Sequence, residues 1–293
     1  MRVFVAGASG WIGSAVVPEL LAHGHQVVGL ARSDRSADVI TTAGAEVVRG
    51  TLEDLDVLRT TATTSDGVVH LGFSLDSGGF DEGIRIDAAA TDALIGALAG
   101  SYKPFIATSG TSVLPGQVST ERDAPDLTNP VAGRFRIAET VLAAGAQGVR
   151  SAVVGMPRSV HGDGDRFGFV PIMIAAAREH GVSGYLGDGT QRWPAVHVRD
   201  AARLYRLALD GAPAGTRLHA VGDEGVRMLD IAEAIGRHLA LPVEPVDPEV
   251  YGFLGGVFAM DQPSAAPVAH ELLGWSAEEP GLLEDIEAGH YFR

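Results

Sequence analysis

The clearest indication of the fold in this chain is the stretch Gly7-Ala8-Ser9-Gly10-Trp11-Ile12-Gly13. It directly follows the apolar run Val3-Phe4-Val5-Ala6, and it opens a segment of helical character over residues 14–22. A strand, a glycine-rich turn and a helix in this order let the backbone approach a pyrophosphate and let the first amides of the helix face that anion. We therefore predict a dinucleotide site formed by Gly7, Ser9, Gly10, Trp11, Ile12 and Gly13.

The first half of the chain alternates short apolar runs with longer segments of helical period. This alternation is typical of βαβ units around a parallel sheet. The predicted strands are residues 3–6, 26–31, 45–49, 67–71, 104–108 and 149–155. From about residue 156, Gly- and Asp-rich turns separate helices such as 200–210 and 229–239. We predict an α/β fold, with a doubly wound Rossmann-type sheet over 1–155 and a smaller substrate-binding lobe over 156–293 that also returns elements to the sheet.

Composition narrows the classes of partner. The chain has 37 acidic and 22 basic residues and a formal charge of −15, which argues against nucleic acid because phosphate backbones are bound by clustered cations. It has no cysteine, so disulfides and thiolate metal sites are excluded, and no metal site is predicted. No apolar run approaches the roughly 18 residues of a membrane span, and glycine interrupts the first apolar run too early for a secretory signal. We expect a cytoplasmic protein that binds a small molecule and no membrane.

The end of the second predicted strand bears on the choice of cofactor. NAD-binding proteins usually place an acidic residue there, on the ribose 2′-hydroxyl. This chain has Ala31-Arg32-Ser33 instead, and the next carboxylate is that of Asp34, which we expect to turn outward. A guanidinium pairs bidentately with a phosphate and stacks on aromatic rings. We predict NADP(H), with Arg32 and Ser33 beside the 2′-phosphate; the alternative is that Arg32 is a solvated surface residue.

Further motifs lie at the fourth predicted strand, after the fifth and the sixth, and in the second lobe. They read Asp66-Gly67-Val68-Val69-His70-Leu71-Gly72, Thr108-Ser109-Gly110-Thr111, Arg158-Ser159-Val160-His161-Gly162 and Trp193-Pro194-Ala195-Val196-His197-Val198-Arg199-Asp200. Together with the glycine turn, they resemble the extended or atypical short-chain dehydrogenase/reductases, a group that includes the NAD-dependent epimerases and dehydratases. The resemblance covers nearly the whole chain.

This resemblance implies further cofactor contacts. Thr51 and Leu52 should lie beside the adenine, while Gly72 and Phe73 should flank the phosphates and the nicotinamide ribose. Relatives commonly dimerise through the helices after the fourth and fifth strands, here roughly residues 81–100 and 131–144. A homodimer is therefore an expectation.

The chain departs from the pattern of this group at its catalytic pair. Its relatives use a Tyr for proton transfer and a Lys, four residues later, that lowers the Tyr pKa and holds the ribose. Here the only lysine is Lys103, and no tyrosine is followed by lysine at that spacing. Counting back from Glu139 puts Val131 and Phe135 at the two positions. The usual proton-transfer chemistry is therefore not expected.

Two arginines flank the position of the missing lysine. Either Arg134 or Arg136 can replace it as the anchor of the nicotinamide ribose, and Arg136 is included among the predicted cofactor contacts. A guanidinium stays protonated, so neither arginine replaces the proton chemistry of the pair.

Two hydroxyls follow the fifth predicted strand, where the group keeps a donor to the substrate oxygen. Ser109 and Thr111 can polarise a carbonyl without a tyrosine, because a placed hydrogen-bond donor stabilises charge that develops on oxygen. The alternative is that both hydroxyls only satisfy backbone groups at the strand end.

The predicted far wall of the cleft contains His161, Arg192, Trp193 and His197. His161 stands where relatives often have Tyr, and histidine titrates near neutral pH, so it can supply the missing proton; a structural role is the alternative. Arg192 and Trp193 can bind a substrate carboxylate or phosphate under an aromatic lid, or form an ordinary surface pair.

Three functions remain open on this evidence. The first is an NADP(H)-dependent oxidoreductase that acts on a small polar carbonyl compound. The second is a non-catalytic protein that senses NADP(H) and changes its affinity for a partner. The third is a nucleotide-sugar epimerase or dehydratase, which ranks lowest because that chemistry relies most on the absent tyrosine.

Overall fold

A computed structural model describes residues 1–74, 78–114, 116–128 and 132–293, apart from the side chain of Phe253. The first half contains β1 (Arg2–Ala6), α1 (Trp11–Ala22), β2 (Gln26–Ala31), α2 (Asp34–Thr42), β3 (Glu46–Arg49), α3 (Leu55–Thr63), β4 (Gly67–His70), α4 (Phe80–Leu98), β5 (Pro104–Gly110), α5 (Ala132–Ala143) and β6 (Arg150–Met156).

The second half contains more and shorter elements. They are β7 (Ser159–His161), α6 (Phe169–His180), β8 (Ser183–Tyr185), β9 (Arg192–His197), α7 (Val198–Gly211), β10 (Thr216–His219), β11 (Asp223–Arg227), α8 (Met228–Leu239), β12 (Val243–Pro245), α9 (Gly255–Phe258), α10 (Pro267–Leu273) and α11 (Leu282–Glu287). Short 3-10 segments cover Ala144–Gln147, Pro248–Leu254 and His290–Phe292.

Seven strands form one parallel sheet in the order β3-β2-β1-β4-β5-β6-β10. Alternation along β1 shows why both faces are covered: Val3 and Val5 pack with α1 and α7, while Phe4 and Ala6 pack with α3 and α4. Strands buried on both faces read as continuous apolar runs, as this one does. The predicted α/β fold with a doubly wound Rossmann-type sheet is confirmed.

The carboxyl ends of β1, β4, β5 and β6 come together at one edge of the sheet. Ligands of open α/β sheets bind at this edge, beside the point where the strand order reverses. In this chain the order reverses between β1 and β4, which pair directly. The glycine turn after β1 therefore lies beside the segments that follow β4 and β5.

The second lobe has its own small sheets and its own core. Strands β7, β9 and β11 form one sheet and β8 and β12 another, and a third apolar core includes Trp193, Met173 and Ile231. Helix α7 and strand β10 return to the main sheet. The domain boundary at residue 155 stays a prediction. In the parts of the chain that the structure describes, no helix is both long and apolar enough to cross a bilayer.

Candidate active site

Helix α1 begins without a side-chain cap. Gly10 is its N-cap residue in extended conformation, and among the described residues no side chain caps the first amides. The first turn of a helix has no intrahelical acceptors for these amides, so they and the positive end of the helix dipole are available to an anion. Helix α2 is the contrast, because Ser33 caps it by accepting from the Ser36 amide at 3.2 Å.

Steric contacts explain the three glycines of the turn. Gly7 has a φ of +85°, and a Cβ there would lie 2.7 Å from the amide nitrogen of Gly72. A Cβ on Gly13 would lie 2.2 Å from the carbonyl oxygen of Gly7. A Cβ on Gly10 would meet only that same oxygen, at 3.3 Å. Gly7 and Gly13 are therefore required by the protein itself, whereas the open space at Gly10 is the space that a bound pyrophosphate would use.

A groove runs from the glycine turn across the ends of β2, β3 and β4. Most of the residues predicted to contact the cofactor line it together: Gly7, Ser9, Gly10, Arg32, Thr51, Leu52, Gly72 and Phe73. The remaining turn residues Trp11, Ile12 and Gly13 line an adjoining cavity that shares Gly7 and Gly10 with the groove. The residues present therefore fit a dinucleotide along this edge of the sheet.

The end of β2 presents a cation to this groove. Arg32 is exposed and lines the groove. Asp34 forms an ion pair with Arg49 at 2.8 Å, so the nearest carboxylate in sequence is partly neutralised. Ser33 lies beside Arg32, but its hydroxyl is engaged in capping α2. A cofactor phosphate at this position would meet the Arg32 guanidinium first.

Two hydroxyls lie at the carboxyl end of β5. Ser109 is buried, and its Oγ has no hydrogen-bond partner among the described residues. Thr111 is also buried, and its Oγ1 accepts from Gln262 Nε2 at 3.5 Å. An unpartnered buried hydroxyl is costly unless a ligand completes it. Both hydroxyls lie at the carboxyl edge of the sheet, but neither lines the groove or the cavity beside the glycine turn, so their contact with a substrate oxygen stays a prediction.

A buried charge network lies under the same end of the sheet. His70 Nε2 is 2.8 Å from Asp87 Oδ1, and Arg134 Nη1 is 3.2 Å from Asp87 Oδ2. The Arg134 guanidinium also donates to the Thr108 carbonyl oxygen and lies over the ring of Phe73, 4.4 Å from its centre. Arg134 therefore reaches the groove at Phe73, and Asp87 holds it there.

Arg136 does not reach the groove. It is exposed and donates to the Leu127 carbonyl oxygen at 2.9 Å. Two residues along a helix are about 200° apart, so when Arg134 faces the sheet Arg136 faces away from it. Of the two alternatives in the sequence, Arg134 is the one in position to contact a ribose. Val131, at the position of the missing tyrosine, lies outside the described residues.

The tyrosines and the single lysine lie elsewhere. Tyr205 is buried under the sheet and shares a hydrogen bond with the Thr108 hydroxyl. Tyr251 donates to the Gly184 carbonyl oxygen, and burial raises its pKa to about 12. Lys103 precedes β5, at the opposite edge of the sheet, and donates to the Thr63 carbonyl oxygen. The described residues therefore contain no tyrosine and lysine acting as a pair.

The structure does not bring the histidines of the predicted far wall to the cavity beside the glycine turn. Val160 lines that cavity, and because side chains alternate along a strand, its neighbour His161 points to the other side of β7. There His161 is buried and its Nδ1 is 2.9 Å from Asp285 Oδ2. His197 packs edge-on against it, with ring centres 5.4 Å apart, and burial lowers the pKa of His197.

Arg192 and Trp193 do not form an open site with an aromatic lid. Arg192 donates from both Nε and Nη2 to the carboxylate of Asp261, at 3.1 and 2.9 Å. Trp193 is 0% exposed and packs against Phe169 and Phe258 in the core of the second lobe. Arg192 is therefore already paired with a carboxylate, and Trp193 has no exposed surface for a substrate to contact.

The cavity beside the glycine turn contains one cation, Arg158, that the sequence analysis does not assign to the site. Arg158 lines this cavity together with Val160 and the exposed ring of Phe167. Its position directly after a parallel strand, at the edge where ligands bind, is the signal that was available in the sequence. Across the described residues, no group of three or more His, Asp or Glu side chains is placed to hold a metal ion.

Comparison with known proteins agrees with this geometry. A model of the "NAD dependent epimerase/dehydratase family" matches residues 3–220. The uncharacterized protein YLL056C of Saccharomyces cerevisiae is 44% identical over 297 residues, which cover 99% of each chain. A 2-alkyl-3-oxoalkanoate reductase of Stenotrophomonas maltophilia is 26% identical over 225 residues, covering 73% of this chain and 67% of that protein.

Solved structures share the fold at much lower identity. The UDP-glucose 4-epimerase of Thermotoga maritima, solved with UDP-glucose, superposes with a TM-score of 0.81 at 17% identity. The match covers 100% of this chain and 98% of that one. At this identity the likeness shows the fold alone, a Rossmann-type α/β architecture.

Proposed function

Because the chain belongs to the NAD dependent epimerase/dehydratase family, we propose that it is an NADP(H)-dependent oxidoreductase that reduces a small polar carbonyl compound. The observation that carries the proposal is the groove itself, which joins the uncapped start of α1 to Arg32 at the end of β2 and to Gly72 and Phe73 after β4. Nicotinamide dinucleotides are the cofactor class of this family, and NADP(H) is our choice within it.

The choice of NADP(H) rests on charge at the end of β2. Arg32 lines the groove, and Asp34 is held by Arg49. A 2′-phosphate would gain a charge-assisted contact from Arg32, whereas a 2′-hydroxyl would find no carboxylate at the usual position. Arg134, fixed by Asp87 over Phe73, is proposed as the contact to the nicotinamide ribose.

When bound, NADPH supplies the hydride that reduces the carbonyl carbon. Ser109 and Thr111 hold the carbonyl oxygen by donating hydrogen bonds, which stabilises the negative charge that develops there. Ser109 is suited to this because its buried hydroxyl has no other partner among the described residues.

The proton comes from water in this proposal. His161 is the alternative that the sequence raises, but Asp285 binds it on the other side of β7. No tyrosine of the sequence is followed by a lysine four residues later, and this is why we favour reduction over epimerisation of a nucleotide-sugar. The name of the Stenotrophomonas relative, a reductase, supports reduction as the class of reaction.

We further propose a cytoplasmic location and a homodimer. The homodimer would form through α4 and α5, the helices that follow β4 and β5. Sedimentation measurements on the protein alone would give twice the monomer mass if this is correct.

The function is tested by mixing the protein with NADPH and a panel of small carbonyl compounds. We expect loss of NADPH absorbance together with an equal amount of alcohol formed. Tight NADPH binding with no turnover across the panel would favour the sensing alternative.

A further inference from the structure

Arg158 carries a charge that no carboxylate of the described residues balances. Within the described ranges, its guanidinium contacts only two uncharged oxygens: the carbonyl of Val257 at 2.6 Å and the side-chain oxygen of Gln262. Its Nε is buried and has no hydrogen-bond partner in the part of the chain that the structure describes. Five N–H groups are available on a guanidinium, so these two contacts leave most of its donors unused.

Three other arginines of intermediate exposure have clear partners. Arg192 has Asp261 and Arg134 has Asp87. Arg150 donates to three carbonyl oxygens at the carboxyl end of the 14-residue helix α7, where a cation is favoured by the helix dipole. Arg192 also lines a cavity, but there it is paired with Asp261, whereas Arg158 lines its cavity with no carboxylate partner among the described residues.

The surroundings of Arg158 favour an anionic ligand. The rings of Trp193 and Phe169 lie 5.6 and 6.0 Å from its guanidinium carbon, and burial lowers its pKa to about 10, so it is still a cation at neutral pH. A charge removed from water and given only neutral partners is costly, and an anion that enters the cavity recovers that cost.

The rim of the cavity carries an exposed aromatic ring. Phe167 is 88% exposed although it lies beside an open cavity. Its loop is held in place by Asp165, which accepts from the amides of Phe167 and Gly168 at 3.3 and 2.8 Å. A fixed loop that presents a phenylalanine to solvent is suited to cover the apolar part of a ligand.

Gln262 connects this cation to the proposed reaction centre. Its side-chain oxygen accepts from Arg158, and its nitrogen donates to the Thr111 hydroxyl at 3.5 Å. A single amide group therefore separates Arg158 from Thr111. An acid with a carbonyl group a few bonds from its carboxylate would reach both residues.

We propose that Arg158 binds the carboxylate of the substrate, that Phe167 covers the substrate's apolar part, and that the substrate is consequently an oxo acid. The identity of the reacting group rests on the proposed function, whereas the anion site does not depend on turnover. The other source of an anion is the cofactor, because the turn residues of α1 line the same cavity.

The test is calorimetric titration of the NADPH-saturated protein with benzoate, with benzamide as its uncharged analogue. We expect benzoate to bind and benzamide to bind at least about tenfold more weakly, because only benzoate can form a charge-assisted pair. Arg158→Gln should weaken benzoate binding at least about tenfold, and Arg158→Lys should weaken it less. Phe167→Ala should weaken both probes.

Arg166→Gln is the matched control, since it removes an equal charge from the same loop at an exposed residue outside the cavity lining. We expect it to change benzoate affinity by less than about twofold. Equal losses in Arg166→Gln and Arg158→Gln would contradict the proposal. If Arg158→Gln unfolds the protein, the benzoate affinities of Arg158→Lys and Phe167→Ala test the proposal, and unchanged affinity in both would contradict it.

Competition with the cofactor distinguishes the two sources of the anion. The proposal expects benzoate and NADPH to bind together, and Arg158→Gln to leave NADPH affinity unchanged within about twofold. If NADPH excludes benzoate and Arg158→Gln weakens NADPH, the anion is the pyrophosphate and the proposal is wrong. Benzoate binding through Arg158 without reduction of any oxo acid would instead refute the proposed function and leave the anion site standing.

Discussion

The two walls of the cleft are made of different parts of the polypeptide. The wall at the glycine turn is backbone: free amides at the start of α1, and glycines whose missing side chains leave the room. The opposite wall is made of side chains, among them Phe167 and Arg158, and Arg158 has no acidic partner among the described residues. Ligand binding at the backbone wall is lost when a substitution adds side-chain atoms. Ligand binding at the side-chain wall is lost when a substitution removes a charge or its partner.

The largest effect is expected from adding atoms to the backbone wall. Gly10→Val should abolish cofactor binding and leave a folded protein, because its side chain would enter the pyrophosphate space and an added Cβ has only the Gly7 carbonyl oxygen, at 3.3 Å, within 4 Å. Calorimetry with NADPH and circular dichroism would measure the two properties. Gly211→Val is the control, since a Cβ there has no neighbour within 4 Å. Unchanged NADPH affinity in Gly10→Val would place the cofactor elsewhere.

Buried side chains also make stability depend on pH. His219 is buried with its Nδ1 3.0 Å from the Ala265 carbonyl oxygen, and burial lowers its pKa from 6.5 to about 4. Over this pH range the unfolded chain binds a proton at His219 that the folded chain does not bind. The free energy of unfolding therefore falls by roughly 3 kcal/mol as the pH drops from about 6.5 towards about 4.

Urea unfolding over this pH range measures the effect. His219→Gln should flatten the decline, because glutamine does not titrate. His180→Gln, at an exposed histidine, should not flatten it. An equally steep decline in His219→Gln would show that other groups dominate acid destabilisation.

The cation of the cofactor groove should set cofactor preference. Arg32→Asp is expected to weaken NADPH binding roughly ten- to a hundredfold and to make NADH the tighter ligand, since a phosphate loses a charge-assisted contact and meets a carboxylate. Titrations with both cofactors give the ratio. Arg35→Asp, on the exposed side of α2, should leave the order as it is. Tighter NADH binding by the unmodified protein would contradict the assignment.

The hydroxyls after β5 should control rate with little effect on binding. Ser109→Ala or Thr111→Ala should lower kcat at least about tenfold and leave NADPH affinity unchanged. Ser112→Ala is the neighbouring control, because that hydroxyl donates to the Asp123 carbonyl oxygen. Tyr205→Phe should leave appreciable turnover. A dead Tyr205→Phe with fully active hydroxyl variants would overturn this mechanism.

The smallest kinetic effect is expected at His161. Because Asp285 binds it behind β7, His161→Gln should leave the pH dependence of kcat unchanged while lowering thermal stability. Flattening of the pH profile near neutrality would instead identify His161 as the proton donor.

Local signals in the sequence predict the backbone wall well. The glycine turn, the six strands and Arg32 each depend on neighbours within a few residues, and the structure finds them together. Strand β10, Thr216-Arg217-Leu218-His219, was not predicted because its alternating polar residues lack the apolar run of the inner strands. Its pairing with β6 decides its structure, and pairing is not visible locally.

The residues predicted for the far wall of the cleft are placed poorly by the sequence alone, because their hydrogen-bond partners are distant in sequence. Arg192 is paired with Asp261, 69 residues later, and His161 with Asp285, 124 residues later. The Arg134 and Arg136 alternatives differ only in which side of α5 faces the sheet. These short motifs do not indicate which charged side chains are already paired in the folded protein.

The most direct test of the whole account is a crystal structure with NADP and an oxo acid. The account predicts the pyrophosphate at the start of α1, the 2′-phosphate beside Arg32, the substrate carbonyl at Ser109 and Thr111, and its carboxylate on Arg158. A cofactor bound away from the glycine turn, or a substrate carboxylate held by a residue other than Arg158, would contradict it.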